Sequence, residues 1–267
     1  MRILMVGVLV WLVSVSSVVA ADVEVRPGSV VRWTGNGFES CSMGGIEWKP
    51  IGDECWYAID LLTEAGPLKL ERHSSAGDEA ATVTVSAYPY PEQRIQVSDK
   101  TVHLSEANEE RAAKEKKRID SLWNDPSEGR FLLPLAQPLA DTDEGRSFGA
   151  RRVLNGEPRS PHSGIDYRAS LGTPVTSVAS GVVVLAEDHF FGGKSVFIDH
   201  GDELISMYMH LDRIEVEQGQ IVDRGRRIGV VGSTGRATGP HLHFGLRWHG
   251  ARIDPKYLFG RPETIFE

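Results

Sequence analysis

The sequence predicts a mostly β protein: a small N-terminal β-sandwich-like domain, a helical linker, and an antiparallel β domain after it. Three observations carry this. Short segments with period-two alternation of apolar and polar residues recur in both halves of the chain. Eleven glycines between positions 172 and 239 punctuate the second half at turn-like intervals. One stretch alone, residues 105–123, has the charge order of a solvated helix.

Taken in order, residues 1–21 carry Arg2, an apolar run and then small residues. This is the pattern of a secretory signal peptide, cleaved after Ala20 or Ala21. An uncleaved anchor is the competing reading, but the run barely reaches the roughly 20 residues a spanning helix needs. Export leads to an oxidising compartment: the periplasm, or secretion as second choice. Cys41 and Cys55 are the only cysteines, so a disulfide between them is expected there. A bridge closing a loop of about 15 residues contributes roughly 3 kcal/mol in the chain-entropy model. A zinc pair at these cysteines would lack two further ligands nearby.

Residues 22–98 form the small β domain, with strands expected at 23–25, 29–33 and 81–85. Trp33, Trp48 and Trp56 read as core aromatics more readily than as a sugar or peptide platform, because large rings dominate small cores. Residues 99–129 are the helical linker. Ser105 suits the N-cap, Glu106, Glu109 and Glu110 lie early, and Lys114, Lys116, Lys117 and Arg118 lie late. These charges are expected to form a solvated face. In 130–267, strands are expected at 174–176, 181–185, 195–198, 204–208, 229–231 and 241–248. The net charge of −8 argues against nucleic acid as a partner. No later apolar segment is long enough for stable membrane insertion once the signal is removed.

The chemistry concentrates in three motifs: His162-Ser-Gly-Ile-Asp166, Tyr208-Met-His210-Leu211 and His241-Leu-His243. A catalytic zinc takes three protein ligands and leaves a fourth position open, and imidazole and carboxylate are suitable donors. In a strand, His241 and His243 share a face with Cα atoms roughly 6.5–7 Å apart. His162 and Asp166 would converge through irregular chain relaxed by Gly164. Tyr208 and His210 are expected to share a strand face. His-x-x-x-Asp alone is a weak signal and His-x-His a moderate one; all of them together in one β-rich segment make a strong combination. The five side chains offer a metal site plus two spare imidazoles. No His-Glu-x-x-His motif is present, so the glutamate-base scheme of helical zincins does not apply.

At these residues the chain resembles a known family. Residues 145–260 are similar to the catalytic domain of the lysostaphin-like zinc endopeptidases, peptidase family M23, which cut bacterial peptidoglycan. The resemblance implies one Zn(2+) per chain held by His162, Asp166 and His243. It implies catalytic, unligated roles for His241 and for His210, the latter in a Tyr-x-His-Leu setting. His200, in Ile198-Asp-His-Gly201, also resembles the family and is expected to serve a turn. Resemblance and export together imply peptidoglycan stem peptides as substrate, with D-Ala-to-diaminopimelate cross-links (D,D-endopeptidase type) favoured over glycine bridges. The N-terminal domain would orient the enzyme, cover the cleft or meet a regulatory protein partner. The alternative is a non-catalytic regulator of cell-wall amidases, as in members that have lost zinc; the intact ligands weigh against it. A biotinyl-like carrier would need Lys194 on a hairpin tip, and Lys194 lacks the flanking methionines. His73, His103, His189 and His249 take structural readings, the alternative for His189 and His249 being a place at the rim of the cleft. Arg151, Arg152 and Arg159 either meet substrate carboxylates or lie on a solvated loop.

Overall fold

A computed structural model describes residues 17–96, 104–124, 127–129, 131–140, 145–260 and 264–266. Residues 1–16 of the predicted signal segment, and His103, lie outside the described residues. The strands are β1 (Ser17–Val25), β2 (Val30–Thr34), β3 (Ser40–Met43), β4 (Ile46–Trp48), β5 (Glu54–Ala58), β6 (Gly66–Ser74), β7 (Gly77–Val85) and β8 (Glu92–Ile95). After helix α1 (Glu106–Ser121) come β9 (Arg151–Leu154), β10 (Glu157–Pro158), β11 (Ile165–Arg168), β12 (Pro174–Thr176), β13 (Gly181–His189) and β14 (Gly193–Asp199). The chain continues through β15 (Ile205–Ile214), β16 (Ile221–Val222), β17 (Arg227–Val231), β18 (His241–Trp248), β19 (Ala251–Ile253), the short helix α2 (Lys256–Phe259) and β20 (Thr264–Phe266).

Alternation decides how these strands stack. A five-stranded sheet, β1-β7-β6-β3-β4, faces a three-stranded sheet, β20-β2-β5, across a core that includes Val31, Trp33, Tyr57, Leu70 and Val83. The disulfide Cys41–Cys55 ties β3 to β5 across that core. The smaller sheet buries both faces. Val31 and Trp33 of β2, with Tyr57 of β5, enter this first core, whereas Val30, Trp56 and Ala58 enter a second one. Trp33 and Trp56 are therefore core aromatics. Trp48 is half-buried, edge-on to Tyr57 and stacked on His249.

The second core belongs mainly to a nine-stranded antiparallel sheet with the path β11-β18-β15-β14-β13-β16, to which β12, β17 and β19 attach. Along β18, Leu242, Phe244, Leu246 and Trp248 enter this core, and period-two alternation sends His241, His243 and Arg247 to the opposite face. That opposite face carries the chemistry. Its far end is covered by α1 and the 3-10 turn Leu122–Asn124 that follows.

Ser105 stands at the N-cap with extended backbone, yet its side chain makes no capping bond. Its carbonyl instead accepts from the amides of Asn108 and Glu109. No residue of α1 is buried, so polar contacts do much of the docking. Arg111 donates to the Asp188 carbonyl (2.8 Å), Glu115 accepts from the Phe190 amide (2.8 Å), and Arg118 pairs with Glu187. The expected solvated face is thus also in part a docking face. Beyond it, Ile119, Leu122 and Trp123 pack on Leu185, Phe197 and Met207. A fourth sheet has the order β10-β9-β8. Among the described residues, no helix is long and apolar enough to cross a membrane.

Candidate metal centre

Asp166 lies on β11 and His243 on β18, and the two are direct antiparallel partners. Their side chains therefore rise together from one face of the sheet. Asp166 is in regular strand, not in the irregular chain expected from the sequence. His162 reaches the same point from the segment just before β11. Gly164 does not supply a left-handed turn there. Its role is clearance: a Cβ would lie 2.5 Å from the Phe244 carbonyl oxygen and 2.8 Å from His243 Nε2.

Three donor atoms form a small triangle. His162 Nε2 is 2.8 Å from His243 Nδ1 and 3.0 Å from Asp166 Oδ1, and His243 Nδ1 is 2.9 Å from that oxygen. Three electron-pair donors this close repel unless a cation lies among them. Tetrahedral zinc with bonds of about 2.0–2.2 Å sets its ligands roughly 3.3 Å apart, so the triangle is near the size such an ion requires. His162 is 1% exposed and His243 9%, whereas Asp166 is half-buried, so the triangle opens to one side. Burial alone would raise the Asp166 pKa, but the His162 and His243 imidazoles against it hold it far below the usual carboxylate range. Burial pushes His243 down to about 4 against the pull of Asp166.

His210 and His241 stand beside the triangle. Their rings are 4.7 Å apart, and His210 is 6.1 Å from His243. His241 Nε2 lies 4.0 Å from Asp166 Oδ1. Tyr208 and His210 do not share a face. The Tyr208 hydroxyl accepts from the Val178 amide inside the second core, while His210 turns to the metal side. The cause is a β-bulge. Lys194 and Val196 of β14 pair with Leu211 and Tyr208 of β15, so Ser195 alone opposes both Met209 and His210. His210 takes up the extra residue at φ +62°. Burial, then the neighbouring His243 and His241, lower its pKa to about 3.

Three backbone carbonyls orient these rings, and a carbonyl only accepts. His162 Nδ1 donates to Ser147 (2.8 Å), His210 Nδ1 to Thr234 (2.9 Å) and His241 Nδ1 to Gly239 (2.8 Å). Each ring keeps Nε2 bare. The sequence gives no sign of these acceptors, because every residue type carries the same carbonyl.

The model of peptidase family M23 matches residues 160–255. A crystal structure from Pseudomonas aeruginosa assigned to peptidase M23 aligns with TM-score 0.70 at 32% identity, covering 88% of this chain and 95% of that one. The chain belongs to peptidase family M23. Among curated M23-like relatives, the peptidoglycan DD-endopeptidase ShyA of Vibrio cholerae is 46% identical over 94 residues, 35% of this chain and 22% of that protein. The DD-carboxypeptidase/endopeptidase Mpg of Neisseria meningitidis is 40% identical over 119 residues, 45% of this chain and 27% of that protein. The chain thus spans only about a quarter of these curated relatives' lengths.

Other predicted positions have different surroundings from this M23 site. His200 is fully buried; Nδ1 donates to the Ser180 carbonyl (2.9 Å) and Nε2 lies 2.7 Å from the Ser206 hydroxyl. Lys194 sits in β14 and donates to the Asp212 carbonyl, which removes it from a hairpin tip. Arg151 stacks on Tyr88, Arg159 pairs with Glu157, and Arg152 reaches to 3.5 Å from Asp166 Oδ2.

Proposed function

We propose that this protein is a zinc-dependent endopeptidase that hydrolyses peptide cross-links of bacterial peptidoglycan, of the D,D type. One observation carries the reading: a triangle of two imidazole nitrogens and a carboxylate oxygen, with two further imidazoles beside it whose Nε2 atoms are bare. His162, Asp166 and His243 hold the ion. The donor set of nitrogen and oxygen suits zinc, one per chain. Bound there, zinc supplies Lewis acidity toward the scissile carbonyl and toward water. His210 and His241 do the proton work. Each has Nδ1 engaged by a backbone carbonyl, so Nε2 would accept a proton from attacking water and then stabilise oxyanion charge or pass the proton to the leaving amine.

The substrate follows from the relatives, whose names specify peptidoglycan DD-endopeptidase activity. The apolar segment at residues 1–21 supports export to the periplasm as a cleaved signal peptide. The test is digestion of purified sacculi by the metal-loaded protein, with and without a chelator, followed by identification of released muropeptides. Chelator-sensitive release of uncross-linked stem peptides is expected. No release from a fully zinc-loaded protein overturns the peptidase reading. A purified chain that retains no zinc near neutral pH would favour the amidase regulator instead.

A further inference from the structure

Two arginines stand near the triad in a chain of net charge −8. Arg152 of β9 stands 3.5 Å from Asp166 Oδ2, the oxygen that faces away from the donor triangle. Its Nε is buried without a hydrogen-bond partner among the described residues. Arg236 comes from a different element. It lies in the loop between β17 and β18, two residues past Thr234, whose carbonyl orients His210.

That loop is held in place. The Arg236 amide donates to the Phe191 carbonyl (2.9 Å), and its guanidinium lies 4.4 Å over the Phe191 ring. The Lys194 amide donates to Thr234 Oγ1 (2.9 Å). Gly193 and Gly235 pack so closely that a Cβ on either would collide with the other's backbone. Arg236 is thus a positioned, half-buried cation, and among the described residues no carboxylate pairs with it. Arg152 and Arg159 are near enough to repel it. Elsewhere the chain behaves differently: Arg32, Arg72 and Arg252 each have a carboxylate within 2.8 Å. Arg236, partly desolvated beside like charge and without a carboxylate of its own, is unfavourably placed, and an arriving anion relieves it. The guanidinium fork fits a carboxylate in two parallel hydrogen bonds.

We propose that Arg152 and Arg236 form a carboxylate-binding subsite flanking the metal triad, which recognises a free carboxylate of the peptide substrate. The choice of a peptide ligand rests on the peptidase reading above. The subsite makes the enzyme selective for acidic stem peptides over amidated ones.

Calorimetry on the zinc-loaded full chain tests this, with an uncross-linked stem tetrapeptide bearing free carboxylates and its fully amidated twin as probes. The acid is expected to bind about tenfold or more tighter than the amide, the size of a charge-assisted pair. In Arg236→Gln the ratio should fall below about threefold. In Arg236→Lys, which keeps the charge without the fork, it should be intermediate and more salt-sensitive. The kcat/KM values for cross-linked acid and amide substrates should follow the same ratios. Equal binding of acid and amide by the unsubstituted protein, or a preference undiminished in both variants, overturns the subsite. If the acid preference is present but hydrolysis is absent, the subsite stands and the peptidase reading falls. Hydrolysis without the preference gives the reverse.

Discussion

Three backbone carbonyls, those of Ser147, Thr234 and Gly239, decide which nitrogen of His162, His210 and His241 stays bare. The proposed division of labour among five side chains then becomes testable one residue at a time. His243→Ala or Asp166→Ala should leave the protein folded but with little zinc by elemental analysis, and activity should vanish with the metal. His210→Ala should retain one zinc per chain while kcat falls about 10²- to 10⁴-fold, the usual worth of a positioned acid or base; turnover within threefold of the parent would remove His210 from the site. His200 makes a prediction about acid stability. Burial holds its pKa at about 4 against an ordinary 6.5. The unfolded chain therefore binds the proton first as pH falls. The stability that neutral His200 supplies is complete above about 6.5 and is lost between 6.5 and 4, about 3 kcal/mol in all. Urea midpoints measured across that window should flatten in His200→Gln. Equal slopes in both proteins would contradict the assignment.

At the scale of single elements, the sequence was legible wherever one rule acted alone. The alternation in residues 241–248 predicts β18 and the shared face of His241 and His243, and both are present. The same rule fails at His210, because the bulge opposite Ser195 inserts one residue and turns the ring to the metal side. Nothing local marks that bulge, since His210 adopts a left-handed φ without being glycine. Gly164 shows the converse error: glycine was legible as necessary, but for the wrong reason. Gly164→Ala would drive a methyl group against the Phe244 carbonyl and the His243 ring. Overpacking of this kind typically costs about 1–3 kcal/mol. Because the displaced group is a proposed ligand, zinc affinity in chelator competition should fall about tenfold or more, while a control at exposed Gly172 leaves affinity unchanged. The disulfide acts on different elements. It ties β3 to β5 far from the triad, so its removal should cost roughly 3 kcal/mol, lowering Tm by about 6–12 °C, with zinc content unaltered.

Across the whole molecule, the feature hidden from the sequence is the wall between the two cores. β2 and β5 send alternate residues into the N-terminal core and into the core of the metal-bearing sheet. A strand buried on both faces carries no mark of which partner covers each face, so residues 22–98 read as a self-contained unit. The two halves are also clamped by polar contacts. Asp60, just after β5, accepts from the Arg252 amide (2.7 Å) and from Arg252 Nε (2.9 Å) and a terminal guanidinium nitrogen (2.8 Å) on β19. Burial alone would raise the Asp60 pKa, but the bonds from Arg252 hold it below the usual value. The Asp254 amide donates to the Gly28 carbonyl (2.8 Å), and Trp48 stacks on His249. A shared core and this clamp predict one cooperative unfolding transition, not two. Asp60→Ala leaves Arg252 without its partner. Breaking a buried pair costs about 3–5 kcal/mol, and the roughly one-quarter exposure of both side chains places this pair toward or below the lower end. Differential scanning calorimetry should show a single peak moving down by several degrees, with calorimetric and van't Hoff enthalpies still equal. Two peaks, with only one displaced, would mean that the halves fold independently and that β2 and β5 do not couple them.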